Sequence, residues 1–249
     1  MNKKLAVVAG LLGVFALFYL GKRSGEELAL PSCEVMEKVE TPIHFFTGDF
    51  VSDERLQEYV DYSNLVLDNS CIPMRRVIAG VTRIDLKEFE SHDTGRLHKQ
   101  LIDTVGEATL QPMQKKGRYY GLILPEGHAF GRGGFVGEAH LNFSRSFFVM
   151  TADARDAILE HELGHLAWAW HNDEPIHWIK GMLLPEFHSF IKPYAFGALC
   201  REAGTVMTYA DKSLPIYSSP GIKYYGTACG DADSADNARH MREFAMSLM

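Results

Sequence analysis

The sequence lacks the features that mark several large classes of protein. Its 249 residues carry a net charge of −7 with the basic residues scattered, so it has no basic patch of the kind that binds nucleic acid. Residues 40–249 contain no internal repeat, low-complexity tract or long linker. Because 46% of the residues are hydrophobic, enough for a packed core, we expect one domain. Because the sequence has no basic patch, we expect no nucleic-acid partner.

An apolar run without charges occupies residues 5–20, between Lys3 and Lys4 on one side and Lys22 and Arg23 on the other. This pattern is typical of an export signal. Its length lies between that of a signal-peptide core and a minimal membrane span, and no A-x-A cleavage site follows. We therefore predict that residues 1–24 anchor the protein in a membrane, facing the periplasm or exterior. Secretion after cleavage is the alternative.

The pattern His-Glu-x-x-His at His161, Glu162 and His165 is the strongest functional signal. Residues four apart share one face of a helix, so the two imidazoles can bind one zinc ion. The carboxylate of Glu162 lies beside that face, where it can take a proton from water. We expect the helix to begin near Asp153 as its N-cap. The motif predicts a zinc hydrolase.

Catalytic zinc usually has three protein ligands, and His171 is the leading candidate for the third. On a continuous helix it would be rotated by roughly 240° and displaced by about 9 Å from His165. The helix must therefore end and the chain turn back. The alternative is Glu186, which would complete a His-His-Glu site.

Four cysteines in an exported chain indicate two disulfides. The pairings local in sequence, Cys33 with Cys71 and Cys200 with Cys229, are the most economical. Three alternatives remain for these residues: free thiols, lipidation of Cys33, and a latent form in which the Cys33 thiolate binds the zinc ion.

Hydrophobic periodicity predicts a mixed sheet with the zinc helix packed on it, an α/β fold of the α+β mixed-sheet kind. After His171 many prolines and glycines indicate a small irregular subdomain that ends in a helix. The predicted strands cover residues 41–47, 75–86, 119–124, 135–142 and 146–150, and the predicted helices residues 53–69, 94–105 and 233–247.

These residues resemble the metzincin zinc peptidases, whose signature is His-Glu-x-x-His-x-x-Gly-x-x-His followed by a turn that bears a methionine. His161, Glu162, His165 and His171 match the first part, and Met207 in Thr-Val-Met-Thr-Tyr resembles the Met-turn. The resemblance implies a zinc endopeptidase with a peptide or protein substrate. It also implies a zincin catalytic domain over residues 41–249, after a linker at 25–40, with an upper part at 41–171 and a lower part at 172–249.

The resemblance extends to substrate-binding segments. Tyr209 is similar to the tyrosine that ligates or flanks zinc in astacin-like members. Gly137 and Ala139 resemble the edge strand along which a peptide lies, and Ser218 and Pro220 resemble the substrate wall of reprolysin-like members.

Trp168 departs from the pattern, because it stands where the family has a glycine. Either Trp168 adopts a left-handed conformation at a cost of roughly 1–2 kcal/mol, or the turn shifts toward Ala169 and Trp170. Two other functions remain: a non-catalytic, zinc-stabilised surface binding module and a zinc amidohydrolase. Cleavage specificity and oligomeric state have no signature in the sequence.

Overall fold

A computed structural model describes residues 27–132 and 136–249. The predicted export segment, residues 1–24, lies outside these ranges. Within them, no helix is long and apolar enough to cross a membrane.

The helices and strands are numbered here in chain order. They are β1 (Leu28–Ala29), β2 (Val39–Thr47), α1 (Asp53–Asn69), β3 (Met74–Arg83), α2 (Thr94–Val105), α3 (Glu107–Leu110), β4 (Tyr119–Leu124), α4 (Ala129–Arg132), β5 (Gly137–Ala139), β6 (Phe147–Thr151), α5 (Ala157–Leu166), α6 (Ile176–Met182), β7 (Leu199–Cys200), β8 (Ala203–Gly204), β9 (Lys212–Ser213), β10 (Ser219–Tyr224), β11 (Thr227–Cys229) and α7 (Asn237–Met246). Short 3₁₀ helices cover Gln111–Met113 and Pro185–Phe190.

A twisted, mixed five-stranded sheet with the order β3-β2-β4-β6-β5 forms the centre of the fold. β3, β2, β4 and β6 are parallel, and β5 is an antiparallel edge strand. Every residue of β4 and β6 is buried, as expected for parallel strands covered on both faces. α1 and α5 pack on one face and α2 on the other. The predicted mixed α/β architecture is confirmed.

The predicted bounds of α1, α2 and β4 are confirmed. The side chains of Ser52 and Asp93 cap α1 and α2 by accepting hydrogen bonds from the backbone N–H three residues ahead, which fixes where each helix begins. β3 ends earlier than predicted, at Arg83, and the predicted strand at 135–142 is reduced to β5.

The predicted start of the metal-site helix is wrong. α5 begins at Ala157 after Asp156, not after Asp153. The carbonyl of Ala154 accepts hydrogen bonds from Tyr59 (3.0 Å) and Arg55 (3.1 Å), and Arg55 also pairs with Asp156 at 2.7 Å. These contacts with α1 hold the preceding segment in a non-helical conformation.

Both predicted disulfides are present, between Cys33 and Cys71 and between Cys200 and Cys229. Together the two bonds exclude free thiols at the four cysteines, and the first excludes a lipid or a metal at Cys33. Part of the predicted linker joins the domain, because β1 pairs with β10. The last helix begins later than predicted, after Asp236, whose side chain accepts from the backbone N–H of Arg239.

Candidate metal site

A buried ion pair joins α5 to the central sheet. Glu160, which precedes the first histidine of the motif, binds Arg76 of β3 through two hydrogen bonds of 2.8 and 3.0 Å, and both side chains are fully buried. Tyr217 donates a further hydrogen bond to Glu160 at 2.7 Å, and Arg76 donates to Thr41 at 3.0 Å. This network fixes the rotation of α5 about its axis and therefore the direction of its histidines.

α5 ends in a Schellman turn. The N–H of Trp168 donates to the carbonyl of His165 at 2.8 Å, and the N–H of Ala169 donates to Gly164 at 2.9 Å, the pattern of that motif. Trp168 occupies the left-handed position with φ = 71°. Of the two predicted alternatives, a left-handed Trp168 and a turn shifted toward Ala169 and Trp170, the first is therefore present.

The strained indole is well packed. Trp168 is only 6% exposed and stacks on Phe190 with ring centroids 4.7 Å apart, while Phe187 lies at 5.5 Å. Beyond the turn, Trp170 donates to the carbonyl of Ala195 at 2.9 Å. The chain therefore doubles back, as the sequence predicts, and returns His171 to the end of α5.

The three histidines converge on one point. Their Nε2 atoms are separated by 3.2 Å (His161 to His165), 3.0 Å (His165 to His171) and 2.9 Å (His161 to His171). Within the described ranges these residues form the one group of three or more metal-binding side chains. Glu186 is not part of it, so the predicted alternative with a His-His-Glu set is wrong.

Each imidazole has an oxygen facing its other nitrogen. Nδ1 of His161 lies 2.8 Å from the carbonyl of Val206, Nδ1 of His165 3.0 Å from that of Ala169, and Nδ1 of His171 3.0 Å from the Glu174 carboxylate. Because an oxygen accepts only from N–H, the proton of each neutral ring sits on Nδ1. Three Nε2 lone pairs thus face one another, an arrangement that a cation stabilises.

Burial favours the neutral, metal-binding form of the two helical histidines. Removal from water, aided by the neighbouring His171, lowers the pKa of His161 to about 4 and lowers that of His165 well below its usual value. Neutral imidazoles are the form that metal ions bind. The site is therefore suited to hold a metal ion at neutral pH.

The methionine turn lies directly beneath α5. Met207 is fully buried, and a Cβ on Gly164 would come within 2.6 Å of its sulfur atom. A glycine is thus required where the turn touches the helix. Since the adjacent Val206 supplies the carbonyl that orients His161, the turn positions one of the three donors.

Glu162 is buried beside the cluster. Its Oε2 has no hydrogen-bond partner among the described residues. Burial, with a contribution from the nearby Glu138, raises its pKa well above the usual value, although a hydrogen bond with the Ala139 backbone lowers it. A Cβ on Gly137 would lie 2.5 Å from Oε1, so the edge strand approaches Glu162 closely only because residue 137 is glycine.

The other predicted site residues differ in their surroundings. Tyr209 is 69% exposed, with its ring 4.3 Å from that of His171, and so flanks the cluster. Ser218 does not line a substrate site: it is fully buried, donating to the Phe196 carbonyl at 2.6 Å and accepting from the Asn237 N–H at 2.8 Å. Pro220 is exposed on β10.

Two side-chain contacts that position the site were not predicted from the sequence. Glu174 follows His171 by three residues, and its carboxylate binds both the ring and the backbone N–H of that histidine. Its position close behind the third histidine is a signal that could have indicated this role. The Arg76–Glu160 pair joins residues 84 positions apart, which no local pattern reveals.

No protein-family model matches this chain, and no curated protein shows significant sequence similarity to it. Among the solved structures that resemble it are two that each share 15% identity over 86% of this chain. One is a chain in the structure of a chaperone–substrate complex (TM-score 0.63, 35% of that chain); the other is metalloproteinase-II from Bacteroides fragilis (TM-score 0.46, 56% of that chain). This chain spans about a third and about half of their lengths. The first likeness supports the mixed α/β fold alone.

Proposed function

We propose that this chain is a zinc-dependent endopeptidase that hydrolyses peptide or protein substrates. The observation that carries the proposal is the buried Glu162 carboxylate, with one oxygen unpartnered, beside three imidazoles that converge through Nε2. A structural zinc site has four protein ligands and needs no such carboxylate. Three ligands with an adjacent base are typical of hydrolytic sites.

The donor set fits zinc. Three nitrogen atoms, each about 2.1 Å from one ion at tetrahedral angles, would be about 3.4 Å apart, and the Nε2 atoms are 2.9–3.2 Å apart. Small outward shifts would therefore complete the set. Imidazole suits several transition metals, and zinc is the proposal because it needs no redox partner for hydrolysis.

When bound, zinc supplies Lewis-acid polarisation of the scissile carbonyl and acidifies the attacking water. Glu162 takes the proton from that water and delivers it to the leaving amine, as one positioned carboxylate can do in general acid–base catalysis. Tyr209, at the edge of the cluster, is the proposed donor of a hydrogen bond to the oxyanion that develops on the substrate.

β5 is the proposed docking strand for substrate. It is the last strand of the central sheet, and an extended peptide can pair with such an edge. Gly137 brings this strand against Glu162, so a peptide paired along β5 would pass beside the base. Ala139 lies on the same strand and Pro220 is exposed on β10; both remain proposals as substrate contacts.

Two disulfides are typical of an exported protein. We propose that the site acts outside the cytoplasm, either anchored through residues 1–24 or released after their cleavage. Amino-terminal sequencing of the exported protein would distinguish the two forms.

The test compares Glu162→Ala with Glu186→Ala, an exposed carboxylate on the Pro185–Phe190 3₁₀ helix that stands outside the metal cluster. Glu162→Ala should retain about one zinc per chain and lose cleavage of an unfolded protein such as fluorescein-labelled casein. Glu186→Ala should keep both properties. Residual full activity in Glu162→Ala would refute the assigned base. If the zinc-loaded parent cleaves nothing and chelation only lowers its melting temperature, the protein is a non-catalytic binding module.

A further inference from the structure

A cavity of about 530 Å³ opens near the end of α5, and none of the three histidines nor Glu162 lines it. It lies between the loop at residues 141–146, the turn before β4, the 3₁₀ helix Pro185–Phe190 and α7. Its volume is in the range of small-molecule sites. It is thus a separate pocket from the metal site.

The cavity has an apolar interior. Leu141, Leu166, Trp168 and Phe244 form its buried part and are each at most 9% exposed. Phe143, which is 60% exposed, lies at the rim together with Phe187 and Phe190. Large apolar side chains left open at a concave surface are typical of binding sites.

The polar part of the lining carries one sign of charge. Lys115, Lys116 and Arg145 contribute to the wall, and none of the lining residues is acidic, although the whole chain has a net charge of −7. No ion pair within residues 27–132 and 136–249 involves any of the three. These cations are therefore free to bind an anion.

Aromatic rings hold two of these cations beside the apolar surface. The guanidinium of Arg145 lies 5.3 Å from the ring centroid of Phe187, and the ammonium of Lys116 lies 5.3 Å from that of Phe244. Lys116 also donates to the hydroxyl of Ser247 at 2.6 Å. Cation–π contacts leave N–H donors available, so the charges stand at the boundary between the apolar interior and solvent.

From this arrangement we infer that the cavity is a binding site for an amphipathic carboxylate, a ligand with an apolar body that ends in one carboxylate group. The apolar body would fill the space against Leu166 and Trp168. The carboxylate would bind Arg145, whose planar donors match it, with the two lysines adding charge. A free fatty acid and the C-terminus of an apolar peptide share this chemistry.

Isothermal titration calorimetry of the intact protein tests the inference. Decanoate should bind saturably, whereas acetate, which lacks the apolar body, and decyl maltoside, which lacks the charge, should bind at least roughly tenfold more weakly, since charge-assisted hydrogen bonds and apolar burial each contribute. N-acetyl-Leu-Phe and its C-terminal amide form a second pair of probes. Tighter binding by the peptide acid than by decanoate would identify a peptide as the source of the carboxylate.

Charge reversal separates the pocket from the rest of the surface. Arg145→Glu should weaken decanoate binding roughly tenfold or more. Lys223→Glu changes an exposed cation on β10, in the three-stranded sheet β1-β10-β11 and outside the cavity lining, and should leave binding unchanged. Both residues are exposed, so circular dichroism should show the parent fold. Equal binding of decanoate and decyl maltoside, equal effects of the two substitutions, or no saturable binding of either carboxylate would overturn the inference.

Discussion

The left-handed conformation of Trp168 leads to an unusual prediction about alanine and glycine. In an ordinary helix, glycine is less stable than alanine by roughly 0.5–1 kcal/mol because it loses more backbone entropy on folding. At position 168, where φ is 71°, alanine has a strain of roughly 1–2 kcal/mol that glycine does not have. We therefore expect Trp168→Gly to be more stable than Trp168→Ala by about 0.5–1 kcal/mol.

Both variants should be less stable than the parent protein. Replacing a buried tryptophan with alanine usually lowers the free energy of unfolding by about 3–5 kcal/mol, and Trp168 loses its stack on Phe190. In the glycine variant, the relief of strain less the entropy cost of glycine offsets about 0.5–1 kcal/mol of this loss. The glycine variant should thus lie about 2–4.5 kcal/mol below the parent.

Urea unfolding, followed by circular dichroism without reductant, measures these differences. Excess chelator in every sample removes the contribution of metal binding. The control is the pair Gln57→Ala and Gln57→Gly on the exposed face of α1, where both changes remove the same hydrogen bond to Asp61 and alanine should be the more stable by about 1 kcal/mol. If glycine is the less stable residue at both positions, residue 168 is not strained and the proposed turn is wrong.

Three further substitutions probe the candidate site. Glu174→Gln removes the carboxylate that faces the third histidine and should weaken zinc binding about 10–100-fold, measured by competition with a chromophoric chelator. Gly137→Ala places a Cβ 2.5 Å from an oxygen of Glu162 and should lower the rate of casein cleavage about 100-fold, with zinc content unchanged in elemental analysis. Arg76→Met leaves Glu160 buried without its cation and should lower the free energy of unfolding by about 3–5 kcal/mol in urea titrations.

Two of these predictions have a matched comparison. Gly221→Ala is the control for residue 137, because its Cβ would meet only Ser219 at an ordinary 3.7 Å, and equal activity in both glycine variants would contradict the close approach. Arg76→Met with Glu160→Leu should recover most of the stability lost in the single variant. No recovery would show that packing, not the unpaired charge, dominates. Unchanged zinc affinity in Glu174→Gln would show that this carboxylate does not contribute to zinc binding.

Residues close together in the sequence were sufficient to predict some of the helices and the histidines of the candidate site. The starts of α1 and α2 are fixed by Ser52 and Asp93, each of which caps its helix through the backbone N–H three residues ahead. The spacing of His161 and His165 places them on one face of a helix wherever that helix lies. The six-residue gap to His171 cannot be bridged by a continuous helix, so a turn was required.

Features that depend on distant residues were not predictable in this way. The start of α5 is set by hydrogen bonds between Arg55 and residues about a hundred positions later in the chain. The residues that flank Ser218 in the sequence indicate a surface position, yet its hydroxyl is enclosed by hydrogen bonds with Phe196 and Asn237. Periodicity and resemblance carry no information about such contacts, because they depend on how separate segments pack.

At Trp168 an unfavourable backbone conformation is offset by favourable packing of the side chain. Backbone preference alone favours glycine at residue 168 by roughly 1–2 kcal/mol, but the indole contributes more through packing, about 3–5 kcal/mol. Packing therefore outweighs strain. Trp168 stands in the turn that ends α5, three residues before His171. Its indole also lines the cavity for which we infer a carboxylate ligand. Glycine would relax the turn but remove the indole from the cavity wall, so one side chain accounts for both the backbone strain and part of the pocket lining.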